Sequence, residues 1–165
     1  MDITIPVSSC DGRQFLIKLS SFSIDGIPGS ITEILKCEII DIVLERVTDV
    51  DQNKQNSFGT LSIISTVIWN FLEEHDVVLY FYCDDRHEIL RKETFISPQE
   101  YRSKLFTSMF NRKVSNMGSR YVNVPIILLS EEFDIQKKVF MHLIARGEHL
   151  DCLKLLKDEI KKLSK

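Results

Sequence analysis

Apolar and polar residues alternate near the start of the chain: Ile3, Ile5 and Val7, then Phe15, Ile17 and Leu19, with Asp11-Gly12 between the two runs. A period of two is that of a half-buried strand. Asp-Gly suits a tight hairpin turn, and Pro6 confines its strand to a sheet edge. An N-terminal hairpin is therefore expected. Residues 20–30 hold Gly26, Pro28 and Gly29 and read as a loop. Two patterns then compete. Ser30-Ile31-Thr32-Glu33 has the form of a capping box, and Ile31, Ile34, Leu35, Ile39, Ile42 and Val43 fit a helical stripe. Residues 39–43, however, are dense in stiff β-branched side chains, which favour strands. The expectation is a strand over about 35–47.

After a polar loop, residues 60–74 give the clearest helix, with Leu61, Ile64, Val67, Ile68, Phe71 and Leu72 on one face. Trp69 falls on the other side, either covered by another element or offered to a partner. The run Val77-Val78-Leu79-Tyr80-Phe81-Tyr82-Cys83 is apolar throughout and ends in Asp84-Asp85. Its β-branched and aromatic content predicts a central strand buried on both faces. Val77, Leu79, Phe81 and Cys83 share one face, and Val78, Tyr80, Tyr82 and Asp84 the other. Ser97-Pro98-Gln99-Glu100 opens a helix that runs to about residue 113, with Pro at the first helical position and Glu closing the box. Tyr101, Leu105, Phe106, Met109 and Phe110 form its apolar arc, with Arg102 near the middle. Strands follow over 121–129 and 139–145, hairpinned together and ended by Gly147. An amphipathic helix carrying Leu150, Leu153, Leu156, Ile160 and Leu163 closes the chain. The order β-β-β-α-β-α-β-β-α implies a single α+β domain over residues 1–165, with about three helices on one face of a mostly antiparallel sheet.

Composition changes this picture little. The 165 residues are 44% hydrophobic and 27% charged, as in ordinary globular domains. No stretch is long enough to span a bilayer. Met1 to Pro6 lacks the basic start and apolar core of a secretory signal. Four scattered cysteines, Cys10, Cys37, Cys83 and Cys152, with no C-x-x-C pair suit reduced thiols in a cytoplasm rather than a zinc site. The net charge of −3 argues against a generic nucleic-acid binder. It is unevenly spread. Residues 86–120 hold eight Lys or Arg against three Glu, a local +5 that leaves −8 elsewhere. That segment could meet phosphate, although a solvated helix face is the commoner use of such charge.

The middle of the chain resembles a family of uncharacterised small bacterial proteins, a domain of unknown function. The family pattern is a strand ending Tyr-x-Cys-Asp, followed by an Arg-x-x-Leu-Phe-x-x-x-Phe helix. Here Tyr80, Tyr82, Cys83 and Asp84 stand at the strand end, and Arg102, Leu105, Phe106 and Phe110 in the helix. Met109 replaces an aromatic, and the segment between Asp85 and Arg102 is longer than the pattern. The resemblance covers about a third of the chain. It supports the fold and implies no activity.

Asp84, Asp85, Arg86, His87 and Glu88 form the densest polar cluster beside a buried element. Two uses are open to it. Asp84 could form a structural ion pair with Arg102, or Asp84 and Asp85 could hold Mg²⁺, which takes oxygen ligands. None of the four histidines is spaced as a helical metal pair. His142, in a strand, would be a satisfied core residue or point to solvent. No Gly-x-Ser-x-Gly elbow or glycine-rich phosphate loop is present. The first expectation is a non-enzymatic cytoplasmic module without metal or cofactor. It would bind another protein, in a stress, toxin–antitoxin or defence setting, through Trp69, Arg112 and Lys113. The alternative is a Mg²⁺-dependent phosphodiesterase or nuclease with Asp84 and Asp85 as ligands and Arg86 and His87 beside them.

Overall fold

A computed structural model describes residues 2–9, 12–22, 29–47, 58–83, 96–117, 120–132 and 135–163. Six strands form one sheet: β1 (Asp2–Ser8), β2 (Gln14–Ser21), β3 (Glu38–Arg46), β4 (Val77–Cys83), β5 (Tyr121–Glu132) and β6 (Ile135–Arg146). Their order is β1-β2-β3-β4-β6-β5. Every neighbouring pair is antiparallel except β3 and β4. That parallel pair needs a crossover, which is α2 (Phe58–Glu74). The other helices are α1 (Gly29–Leu35), α3 (Pro98–Met117) and α4 (Leu150–Leu163). The α+β class and the mostly antiparallel sheet are as expected.

Two expectations need correction. Residues 29–35 are helix α1, so the strand begins at Glu38 and not near residue 35. Lys36 ends the helix by taking a left-handed backbone conformation, φ 54°, a common way to close a helix but one that glycine usually supplies. The helices also cover both faces of the sheet, not one. Ile64, Trp69, Phe71 and Leu72 of α2, with Phe106, Phe110 and Val114 of α3, pack with Ile17, Ile40, Leu79 and Ile144. Ile31 and Leu35 of α1, with Leu153, Leu156 and Ile160 of α4, pack with Ile39, Val78, Val124 and Leu143. The parallel crossover needs a cover on one side, and an amphipathic α4 of the opposite placement fills the other.

Strand β4 behaves as its composition predicts. It lies inside the sheet, and Val78 and Leu79, on opposite faces, are both fully buried. Val77, Leu79 and Phe81 face α2 and α3, while Val78 and Tyr80 face α1 and α4. Gly12, at φ 80°, donates its amide to the Ser9 carbonyl at 3.0 Å between the paired strands β1 and β2. The start of α3 is capped as read: the Glu100 amide donates to Ser97 Oγ at 3.1 Å. Pro6 lies in edge strand β1, and Pro125 in the opposite edge strand β5. A proline removes a donor from a free edge and so discourages strand addition there.

Candidate functional site

Strand register decides what meets at each end of the sheet. β6 runs antiparallel to β4, with Leu79 opposite Ile144. The residues leaving β6 therefore lie beside those entering β4. β3 runs parallel to β4 with Glu38 level with Val77, which puts Cys37 at the same end. Only His75-Asp76 separate α2 from β4, so Asp76 is held at that rim. His75 is anchored there: its amide donates to the Phe71 carbonyl at 3.0 Å, and its ring lies 4.4 Å from the Phe71 ring.

After β6 the chain makes a 3-10 turn, Gly147–His149. The Gly147 amide donates to the Arg120 carbonyl at 2.8 Å, and a Cβ on Gly147 would stand 3.4 Å from that same oxygen. That hydrogen bond ties the turn to the start of β5 and sets Glu148 and His149 beside Asp76. His149 Nε2 lies 2.9 Å from Asp76 Oδ1 and 4.0 Å from Glu148 Oε1. One donor atom from each residue falls within 4.8 Å of the others, a grouping that could hold a metal ion. Metal ligands at about 2.1 Å from an ion stand roughly 3.0–3.4 Å from one another. The His149–Asp76 separation is close to that range, Glu148 lies 4.0 Å from His149, and all three donor atoms lie within 4.8 Å of one another, so the carboxylates must close by up to about 2 Å to share an ion. His149 is 14% exposed, whereas both carboxylates are open to solvent.

Three further groups frame the cluster. Arg146 Nε is buried without a hydrogen-bond partner and lies 3.7 Å from Asp76 Oδ1. Arg120, exposed, directly precedes β5 and lies opposite Gly147, one residue beyond the Tyr121–Arg146 pair. The Cys37 thiol is pushed up to about 11, first by burial and then by the negative charges of Asp76 and Glu148. Cys37 is therefore a protonated thiol near neutral pH that a cation would favour losing its proton.

This cluster corrects the expectation that no metal or cofactor would be involved: the described residues carry a metal-capable group. It is also at the other end of β4 from Asp84 and Asp85. Asp84, Asp85, Arg86 and His87 lie outside the described residues, and with them the partner expected for Arg102. Arg102 itself is half-buried on α3.

Of the two readings of Trp69, cover by another element holds, and the partner-binding role is corrected. Trp69 is 4% exposed, with its ring 4.8 Å from Tyr121 and 5.9 Å from Phe110. α3 lies alongside α2, so α2 is covered on a second side and Trp69 is a core residue, not a surface offered to a partner. Lys113 Nζ donates to Thr66 Oγ1 at 3.2 Å, tying α3 to α2, and Arg112 is exposed. His142 is the satisfied core residue of the two possibilities. It is fully buried, with Nε2 2.9 Å from Ser103 Oγ and Nδ1 3.0 Å from Asn123 Oδ1. Cys83 is buried, as expected of an inert thiol.

Among the described residues, no helix is long and apolar enough to cross a membrane. No family model, curated protein or solved structure matches the chain.

Proposed function

We propose that the chain binds a divalent metal ion through Asp76, Glu148 and His149 and uses it to hydrolyse a phosphoester. The observation that carries this is the meeting of three donor atoms from two connectors at one rim of the sheet. One imidazole and two carboxylates leave room for water, and a bound cation lowers the pKa of that water toward neutrality. Mg²⁺ prefers oxygen donors, while an imidazole in the set also suits Mn²⁺ or Zn²⁺. Phosphate is the favoured substrate group because Arg146 and Arg120 flank the same rim, and guanidinium matches phosphate geometry. Arg120 is the end of the basic segment 86–120, which gives that segment a role beside the site.

The test is hydrolysis of bis(p-nitrophenyl) phosphate and of a short single-stranded RNA with Mn²⁺, Zn²⁺ or Mg²⁺. The expected result is chelator-sensitive turnover that Asp76→Asn lowers at least about 100-fold. Turnover indifferent to chelator and to Asp76→Asn would overturn the proposal.

A second reading, binding of another protein, is favoured by one observation. Ile127 and Leu129, 50% and 55% exposed, lie on the same face of edge strand β5. Because Pro125 blunts the edge itself, a partner would cover this face. Ile127→Asp with Leu129→Asp should abolish a complex isolated from the native cell, and a complex that survives both changes would refute it.

A further inference from the structure

His142 sits between a hydroxyl and a carboxamide that come from two other elements. Asn123 approaches it through Oδ1, which can only accept, so Nδ1 carries the imidazole proton. Nε2 then presents a lone pair, and the group facing it is the Ser103 hydroxyl. The hydroxyl must donate. Asn123 orients the ring, the ring accepts the serine hydroxyl's hydrogen bond, and Ser103 is half-buried on α3. Phe106 and Phe81 hold the imidazole from the side, their ring centres 4.9 and 6.3 Å from it. The order of contacts is nucleophile, base, orienting group, each within hydrogen-bond distance.

The inward, partly buried stripe of α3 explains how the group arises. Gln99, Ser103, Phe106, Phe110 and Val114 recur at helical spacing, polar at the start and apolar after. The apolar part packs against α2 and the sheet. The polar part meets the sheet where Ser103 bonds His142, with Gln99 buried one turn before it.

We propose that Ser103, with His142 as base and Asn123 as the residue that positions it, is a nucleophile toward small carboxylic esters. Ser103 Oγ attacks the carbonyl carbon while its proton passes to His142 Nε2. The bond to the alcohol oxygen breaks, and that oxygen takes the proton back from His142. Water, deprotonated in the same way, then cleaves the acyl-serine to the free acid and restores the hydroxyl. Asn123 is uncharged, so the transient imidazolium lacks a counter-ion and turnover is slow. His142 lies four residues before the end of β6, roughly 13 Å along the strand from the metal-capable rim, and the site makes no use of that rim.

The experiment treats the full chain with p-nitrophenyl acetate, locates the acetyl group by peptide mass spectrometry and follows p-nitrophenol release. The expected result is one acetyl group on Ser103, absent in Ser103→Ala. Asn123→Asp, which would compensate the imidazolium, should speed acylation about tenfold, where a merely structural network would show no gain. Burial holds His142 down at about 4, so the rate should stay level from neutral pH to about pH 5, below where an ordinary histidine protonates. If His142→Gln fails to fold, Ser103→Ala and Asn123→Asp still decide the matter. Acetylation elsewhere, equal rates in wild type and Ser103→Ala, or no gain in Asn123→Asp would each overturn the proposal. Metal binding by Ser103→Ala separates this site from the rim: it should equal that of wild type.

Discussion

His142 and His149 stand on either side of the end of β6 and carry the same side chain into opposite surroundings. His142 lies under α3 with neutral partners, its imidazole stripped of water and held down at about 4. His149 lies at the rim between two carboxylates that remain in solvent. The interior histidine is bound up with stability; the rim histidine is bound up with whatever cation or anion arrives. Burial fixes the first through desolvation. Substitutions in the two regions should therefore separate cleanly, the interior ones moving the unfolding curve and the rim ones moving metal affinity.

The largest expected effect is in the interior. Trp69→Ala removes an indole packed between Tyr121 and Phe110 and should cost about 3–5 kcal/mol in denaturant unfolding. A loss under about 1 kcal/mol would mean that α3 does not seal α2 as described. Next comes acid. Between about 6.5 and about 4 the unfolded chain binds a proton at His142 that the folded chain refuses. Stability from this group is whole above the upper value and is lost as pH falls through that window, up to about 3 kcal/mol. The difference in unfolding free energy between wild type and His142→Gln should narrow accordingly from pH 7 to pH 4. A constant difference would show that His142 is not held neutral by burial.

The rim should behave the other way. Glu148→Gln should leave stability within about 0.5 kcal/mol and weaken Mn²⁺ or Zn²⁺ binding about tenfold or more, measured by competition with a chromogenic chelator. The smallest effect is that of Arg146→Gln. Removing the cation 3.7 Å from Asp76 should leave metal affinity intact or slightly raised, while the KM for a phosphodiester rises about tenfold. A loss of metal binding with an unchanged KM would show that Arg146 orients Asp76 instead of meeting phosphate.

What could be read from the chain follows the same division. The interior was largely legible because burial writes itself as periodicity: residues 77–83 announced a two-faced strand, Ser97 to Glu100 a capped helix, and Pro6 an edge. Helix α1 was obscured because two correct signals abut. The helical stripe of residues 31–35 runs straight into the β-branched residues of β3, and the break is Lys36, a residue that does not advertise a left-handed conformation. For Trp69 the sequence leaves cover and partner both open, because a helix wheel cannot show a second helix packed alongside. The rim was not legible at all. Asp76 and His149 are 73 residues apart, Ser103 and His142 are 39 apart, and no spacing rule joins them. Asp84 to Glu88 drew attention because they are neighbours in sequence; the rim residues are neighbours only through the antiparallel register of β4 and β6. The available hints were short connectors at strand ends, His75-Asp76 before β4 and Gly147-Glu148-His149 after β6.

The most direct test of the rim is calorimetric titration of the metal-free protein with Mn²⁺ and with Zn²⁺, alongside Asp76→Asn and His149→Ala. One ion should bind per chain in wild type and none in either variant, with all three proteins unfolding at the same denaturant concentration when metal is absent. Absence of binding by wild type, or equal binding by all three, would contradict the assignment of Asp76, Glu148 and His149 as a metal site.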